Sequence, residues 1–437
     1  MQAGNGSEQW QATPARKKAG FDCFSASFFF FVIWCVGVLV PLYPFLMSID
    51  GFSLFWDFSF VDKDGAVNEA LLIYGAALLF VLAGASLGRR SQLNFPSRSR
   101  LIVRPRFLMQ RSLLLTLAGL LAFGMILVVL GGLSGLLQGA SDRIRAFAGL
   151  NGLFLLQNLL LSVSLAWYIR LTGEQKRAHG ERLMFWAYFL GALFVCALQG
   201  QKSTIFIAVL SLMVIRHYRV KRINLIKGAI LGVVMFVSLM AYHVFKQEYL
   251  ATGKFFFLKD DQGVLLSFFN FLITQFTGNL MQLQTMTVLV DAMPDGLPWQ
   301  NGSTLLMIVL ILIPSTLFPD KPLTAAGVFT GAFWPDKWLL EGTTLPPGVF
   351  GEFYMNFGIV GVLLGGLVLG FVWGRLYGAV INNPLNDRAL GAYALAIASM
   401  LHLFRGELSS VLLLVASIWL PFLLLSSRRK APVNHPN

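Results

Sequence analysis

The chain has 437 residues, of which 56% are hydrophobic and 13% are charged, and its mean hydropathy is +0.68. Soluble globular domains carry about 25% charged residues, so this composition excludes an ordinary soluble protein. The formal net charge of +13 does not indicate nucleic-acid binding, because most lysines and arginines lie in short loops between apolar runs. The composition predicts an integral membrane protein.

Apolar runs of roughly 20 residues predict transmembrane helices throughout the first half of the chain. The seven predicted spans are 24–45, 70–88, 113–131, 153–169, 183–198, 204–215 and 229–245. The loop after residue 88 holds seven arginines and no acidic residue, and two later loops are also basic. Because positively charged loops stay in the cytoplasm, these loops set the predicted orientation of the helices.

The second half begins with a more polar segment, 246–351, that has mixed charges and several prolines. Its apolar run 305–317 is too short to span comfortably, which favours a re-entrant or interfacial half-helix, with two tilted spans as the alternative. The stretch 265–289 is amphipathic. We expect this large loop on the periplasmic side. Three further predicted spans complete the chain, at 356–380, 390–404 and 408–425. The span 356–380 is predicted to cross toward the cytoplasm, in the same direction as the span 70–88.

These patterns predict an all-α polytopic membrane protein with about 10 transmembrane helices (10–12) and both termini in the cytoplasm. The predicted parts are a cytoplasmic tail (1–23), an N-terminal bundle (24–245), a periplasmic loop (246–351), a C-terminal bundle (352–427) and a second cytoplasmic tail (428–437). The three cysteines indicate neither a disulfide framework nor a metal site, and we expect no cofactor.

Basic residues on the outer side are not required by the orientation rule, so they are candidates for ligand binding. Cations at helix ends in a low dielectric need a partner, such as a lipid-linked diphosphate at headgroup level. These residues are Arg143, Arg145, Lys202, Lys246, Lys254, Lys321 and Arg405. Two alternatives need no ligand: Arg405 pairs with Glu407 or caps a helix end, and Lys202 extends from its helix end toward water.

The stretch 343–361, TTLPPGVFGEFYMNFGIVG, follows a Pro-Pro-Gly break with a carboxylate, two aromatic rings and an amide. Burial beside Phe353 and Tyr354 would suit Glu352 to general-base chemistry, whereas the alternative is a carboxylate that holds the loop in shape. Small residues at helical spacing then predict close contact with another membrane helix. They are Gly361, Gly365, Gly366, Gly370 and Gly374.

Histidines and aromatic residues add further candidates. His402 lies three residues before Arg405, so both side chains project from one helix face, and His402 is a second candidate base. His217 falls in a predicted cytoplasmic loop. Aromatic residues of the outer segment either stack on sugar rings or anchor the chain at the membrane interface. They are Trp299, Trp334, Trp338 and Tyr354.

Four stretches of the chain resemble the Wzy-type O-antigen polymerases, which join oligosaccharide repeat units. Members carry a proline-glycine turn followed by Gly-Glu-aromatic and Asn-Phe-Gly groups, as residues 346–358 do here. IPSTLFPDKP at 313–322, GQKS at 200–203 and RGE at 405–407 are similar to three other segments of that family. The resemblance covers roughly the second half of the chain, and the first half is similar in layout.

This resemblance implies a GT-C-like glycosyltransferase in the bacterial inner membrane, with its active site facing the periplasm. Donor and acceptor would both be undecaprenyl-diphosphate-linked oligosaccharides, and the product would be O-antigen or a related surface polysaccharide. Transfer would invert the anomeric configuration without a metal ion. The family implies membrane lipid and a Wzz-type chain-length regulator as partners, and no nucleic acid.

The resemblance also implies roles for the candidate residues. Arg405, Lys202 and one of Arg143 or Arg145 would stabilise the departing diphosphate. Glu352, or failing it His402, would orient or deprotonate the acceptor hydroxyl. Further residues expected to bind the diphosphate or the sugars are Lys246, Lys321, Tyr354, Asn356 and Glu407.

Two other functions stay open on the sequence. An O-antigen ligase has a similar layout, but ligases rely on a histidine in the outer loop, and residues 246–351 contain none. A lipid-linked oligosaccharide flippase, or another transporter, would need cations at mid-membrane depth. The candidate cations here are predicted at the tips of outer loops instead.

Overall fold

The structure is a computed structural model that describes residues 21–42, 58–91, 105–141, 147, 149–173, 179–244, 280–313, 318–340 and 342–426. Within these ranges the chain is built from helices and forms no β-sheet. The helices are α1 (Ala26–Trp34, continued by a π-helical turn, Cys35–Leu39), α2 (Lys63–Arg90), α3 (Pro105–Val129), α4 (Gly132–Ser141), α5 (Asn151–Gln157), α6 (Leu159–Leu171), α7 (His179–Leu198), α8 (Lys202–Arg219), α9 (Leu225–Val244), α10 (Gln282–Ala292), α11 (Ser303–Leu310), α12 (Ala325–Phe333), α13 (Pro335–Leu339), α14 (Gly348–Asn382), α15 (Asp387–Arg405) and α16 (Leu408–Leu425).

Six helices in the described ranges are long and apolar enough to cross a bilayer. They are α2, most of α3, α5 and α6 taken together, α7, α14 and α16. The prediction of an all-α, multi-pass membrane protein is therefore confirmed. Each of the ten predicted spans coincides with a helix, but four of these helices are not among the six, so the count of ten stays a prediction.

The glycine stripe of α14 packs directly on the backbone of α2. A Cβ atom at Gly370 would overlap the carbonyl oxygen of Val81, and one at Gly374 would overlap that of Ala85. Only residues without a side chain allow two helices to approach so closely. The paired residues follow the same order along both helices, so α2 and α14 are parallel, as predicted for two spans that cross in one direction. The predicted close contact with another helix is confirmed for Gly370 and Gly374, whereas Gly361 and Gly365 lie against the first turns of α14 itself.

Helices α8 and α15 run antiparallel. The hydroxyl of Ser211 donates to the carbonyl of Ala394 at 3.5 Å, and the guanidinium of Arg219 pairs with the carboxylate of Asp387. Between these two contacts the chain advances eight residues along α8 and seven back along α15. Extending this register places Lys202, the first residue of α8, level with the last turn of α15.

Helices α8 and α14 end, and α15 begins, at the same end of the bundle, which is called here the arginine-rich end. A polar cluster lies at this end. Its carboxylate, Asp22, accepts hydrogen bonds from the hydroxyls of Tyr218 and Tyr377, each at 3.0 Å, and lies 3.1 Å from Nε2 of His217. Nδ1 of His217 accepts the backbone N–H of Ile223 at 3.0 Å, so the ring carries its proton on Nε2, facing Asp22. His217, predicted in a loop, is buried in the last turn of α8.

We expect Asp22→Asn to destabilise the protein. Burial raises the pKa of Asp22, but the contacts with His217, Tyr377 and Tyr218 outweigh burial and hold the pKa below its ordinary value. The folded protein therefore favours the charged form, and this stabilisation is complete above about pH 4 and is lost as the pH falls through the lowered pKa. At pH 7 the substitution should lower the free energy of unfolding by about 2 kcal/mol.

Thermal unfolding of the detergent-purified protein at pH 7 measures the effect of Asp22→Asn. Asp295→Asn is the matched control, because Asp295 is exposed. Its midpoint should match that of the unsubstituted protein. An unchanged midpoint for Asp22→Asn would contradict the stabilising role of the cluster.

Candidate functional site

The polar motif around Glu352 lies on a short helix that folds back on the longer part of α14. The backbone of Phe357 and Gly358 is non-helical, and Gly358 has φ +60° and ψ −150°, which glycine adopts without steric cost. The ring of Phe353 lies against Gly365, although a continuous helix would separate residues twelve apart by about 18 Å. The short helix, residues 348–356, is thus separate from the long span and straddles the predicted boundary at residue 352.

Asn356 joins the short helix to the start of α11. Its Oδ1 accepts the backbone N–H of Gly302 at 2.7 Å. Its Nδ2 donates to the hydroxyl of Thr304 and to the carbonyl of Glu352, both at 2.7 Å. Asn356 is 1% exposed, so its amide forms an internal connection between the two helices.

Glu352 connects the short helix to the start of α16. Its side chain is fully buried, and its Oε2 accepts the backbone N–H of Leu408 at 2.6 Å. The first turn of a helix has unpaired N–H groups and a partial positive charge, and both favour a carboxylate there. The other oxygen, Oε1, is buried, and the hydroxyl of Thr304 in α11 also interacts with the carboxylate. Glu352 thus connects the short helix to the start of α16, next to α11.

Glu407 makes a similar connection to α12. Its Oε2 accepts the backbone N–H of Ala326 at 2.9 Å, and its Oε1 accepts the hydroxyl of Ser410. The carboxylates of Glu407 and Glu352 also interact electrostatically. Two acidic side chains therefore fix the starts of α12 and α16 around one small region, called here the Glu352 end of the bundle.

Arg405, the last residue of α15, lies at this same end. Its carbonyl oxygen accepts a hydrogen bond from Nε2 of Gln282, the first residue of α10, with 3.5 Å between the two atoms. Its guanidinium interacts electrostatically with His402, as expected for side chains three residues apart on a helix. The register of α8 against α15 brings Lys202 to the same level. Glu352, His402, Arg405 and Lys202 therefore lie at one end of the bundle.

The remaining predicted site residues differ in burial and in the contacts that they make. Tyr354 is 8% exposed, and its ring packs edge-on against Trp299 with 5.7 Å between centroids. Trp299 itself is 38% exposed, whereas Trp334 is buried and Trp338 packs over Gly331. Nζ of Lys321 donates to the carbonyl of Ile313 at 3.1 Å. Outside the described residues lie Arg143, Arg145, Lys246 and Lys254.

An apolar groove of about 780 Å³ opens beside the short helix. Its walls include Phe353, Leu364 and Val368. Asn356 and Leu408, which carry the hydrogen bonds described above, also line it. The groove can therefore hold an apolar chain directly beside the polar residues of the Glu352 end.

Sequence reasoning missed the amides that connect this region to the rest of the bundle. Gln282 contacts α15, and Gln157 and Gln199 are hydrogen-bonded to each other inside the bundle. The available signal was their place inside apolar runs, because polar groups in membrane helices are costly and often functional. The run LLQNLLLS around Gln157 is the clearest example.

The hydrogen bond between Glu352 and Leu408 predicts different effects for two substitutions. Glu352→Gln keeps an acceptor for the Leu408 N–H, so its thermal midpoint should stay close to that of the unsubstituted protein. Glu352→Ala leaves a buried N–H without a partner and should lower the free energy of unfolding by about 1–3 kcal/mol. Equal midpoints for the two variants in detergent would contradict the connecting role of the carboxylate.

Comparison with known proteins identifies no relative of this chain. No protein-family model matches the chain, no curated protein is detectably similar to it, and no solved structure matches it. The resemblance to the Wzy-type polymerases therefore depends on the four motifs and on where three of them lie in the fold.

Proposed function

We propose that this protein is a membrane glycosyltransferase of the Wzy type, which polymerises undecaprenyl-diphosphate-linked oligosaccharide repeat units. It acts at the periplasmic face of a bacterial inner membrane, with a GT-C-like arrangement of about ten spans. The product is O-antigen or a related surface polysaccharide. A Wzz-type regulator is the proposed protein partner.

One observation carries the proposal: two motifs that are far apart in the sequence form a single unit. Glu352 of the Gly-Glu-aromatic motif binds the backbone of Leu408, which directly follows Arg405-Gly406-Glu407. The helix register brings Lys202 of the GQKS motif to the same end. Three of the four motifs that resemble the family therefore lie at one end of the bundle. Short matches that arose by chance would have no reason to lie together.

The chemistry assigned to this end needs few groups. The anomeric carbon of the donor loses its bond to the lipid diphosphate and forms one to the acceptor hydroxyl. Arg405 binds the departing phosphate oxygens in a bidentate manner, while Lys202 acts as a point charge. The acceptor proton passes to Oε1 of Glu352, or failing that to His402. Attack opposite the leaving group inverts the anomeric configuration.

The apolar groove supports the same proposal. It borders Asn356 and Leu408, so a polyprenyl chain in the groove would keep its diphosphate close to the Glu352 end. Two lipid-anchored reactants held side by side react as one complex, and orientation of this kind supplies much of the rate.

Reconstitution tests the proposed function. The purified protein is placed in liposomes with lipid-linked repeat units extracted from a host strain that lacks it. A ladder of products spaced by one repeat unit, formed without added nucleotide, is the expected result. A single transfer that occurs only when lipid A core is added would identify a ligase instead. Movement of the lipid across the bilayer without a new bond would identify a transporter.

A further inference from the structure

Three glutamine side chains form a buried chain of hydrogen bonds, called here the amide chain, at the turn between α7 and α8. Nε2 of Gln201 donates to Oε1 of Gln199 at 2.6 Å, and Nε2 of Gln199 donates to Oε1 of Gln157 at 2.8 Å. None of the three residues is more than 6% exposed. Burying three amides is unfavourable unless they bond to one another, so the chain fixes their relative positions.

One end of the amide chain is anchored at a break in a membrane helix. Gln157 is the last residue of α5, and Asn158 separates it from α6. Nδ2 of Asn158 donates to the hydroxyl of Ser417 at 2.8 Å, and the hydroxyl of Ser162 donates to the carbonyl of Ile418 at 2.7 Å. The break is therefore attached to α16, and the amide chain begins from a fixed point inside the bundle.

The other end of the amide chain adjoins Lys202. The backbone N–H of Gln201 donates to the carbonyl of Cys196 at 2.9 Å, and that of Lys202 donates to the carbonyl of Gly200 at 3.0 Å. The turn is thus tight, and Lys202 begins α8 immediately after Gln201. Because Lys202 directly follows Gln201, the position of Gln201 affects the point from which the Lys202 side chain extends.

We infer that Gln199 is a positioning residue for Lys202. As the middle link of the amide chain, it joins the turn to Gln157 and so orients the Lys202 ammonium group toward the Glu352 end. There the ammonium group meets the diphosphate of a lipid-linked oligosaccharide. The contacts above support this orientation of Lys202, and its role toward the diphosphate rests on the proposed function.

Cysteine labelling tests the orientation without any need for activity. Lys202→Cys is placed in a protein whose three native cysteines are replaced by alanine. The rate of reaction with a membrane-impermeant maleimide is measured in liposomes with and without Gln199→Met, which keeps the side-chain length but removes both hydrogen bonds. We expect the rate to change by at least about threefold, because the net free energy of one hydrogen bond corresponds to a factor of this size.

The control for labelling is Leu133→Cys, an exposed position on α4. Its labelling rate should be the same with and without Gln199→Met. If Gln199→Met does not fold, Gln201→Met removes only the link beside Lys202 and gives the same comparison. An unchanged labelling rate at Lys202→Cys would overturn the inference.

Ladder formation tests the functional part in a double-mutant cycle. Gln199→Met should slow ladder formation by about tenfold in the otherwise native protein, since a small displacement of a charged group has a large effect on rate. In the Lys202→Ala protein it should have no further effect on the residual rate. Equal losses in both backgrounds would show that Gln199 supports the fold only. Absence of any ladder from the native protein would refute the proposed function, while labelling would still decide the orientation of Lys202.

Discussion

Arg405→Ala is expected to reduce the rate of ladder formation by at least about 100-fold, the loss that follows removal of one group that stabilises a developing negative charge. Arg405 ends α15 at the Glu352 end of the bundle, three residues after His402. In the proposed mechanism it binds the departing phosphate oxygens. The carbonyl of Arg405 makes the hydrogen bond to Gln282, and alanine keeps that backbone group. The variant should therefore still fold and reach the membrane.

Two comparisons make the Arg405 result specific. Arg405→Lys keeps the charge but loses bidentate binding, so its rate should lie between those of the native protein and Arg405→Ala. Lys221→Ala removes an exposed cation at the arginine-rich end and should leave the rate unchanged. Ladders of native length and rate from Arg405→Ala would rule out its proposed role.

Gly370→Leu is expected to have the largest effect on folding. A side chain at Gly370 would overlap the backbone carbonyl of Val81, which cannot move aside as a flexible side chain can. Overpacking against side chains costs about 1–3 kcal/mol, and here the whole of α2 would have to move away from α14. We expect little monodisperse protein in size-exclusion chromatography and a lowered thermal midpoint in what remains. Gly370→Ala should show a smaller effect of the same kind.

Gly75→Leu is the matched control for this prediction. Gly75 lies on α2 as well, but a Cβ atom there would meet no atom within 4 Å. The control should keep both its yield and its midpoint. Similar losses from Gly75→Leu and Gly370→Leu would contradict the parallel contact of α2 and α14.

Features imposed by the membrane could be predicted from the sequence. The basic loops predicted that the spans of α2 and α14 cross in the same direction, and the glycine stripe predicted a close helix contact. Both features are local, because a stripe or a basic loop can be recognised without knowing its partner. Helix ends were harder to predict, since the break at Phe357 and Gly358 interrupts a run that is apolar on both sides.

Connections between distant residues could not be predicted. Glu352 accepts a hydrogen bond from a residue 56 positions later in the chain. Nothing near Glu352 in the sequence specifies Leu408 as its partner. The basic residues around His217 predict a loop, but His217 lies buried in the last turn of α8 against Asp22. The amide chain cannot be predicted for the same reason, because Gln157 and Gln199 become partners only when α5 and the end of α7 pack together.

Photo-crosslinking tests most directly whether the Glu352 end binds a lipid diphosphate. A polyprenyl diphosphate with a photoreactive group next to the phosphates is activated on the protein in liposomes, and the labelled peptides are identified by mass spectrometry. The account predicts adducts on residues 348–356 and 402–408 that excess lipid-linked repeat unit competes away. Adducts at the arginine-rich end around Asp22, or spread over the apolar surface without competition, would contradict it.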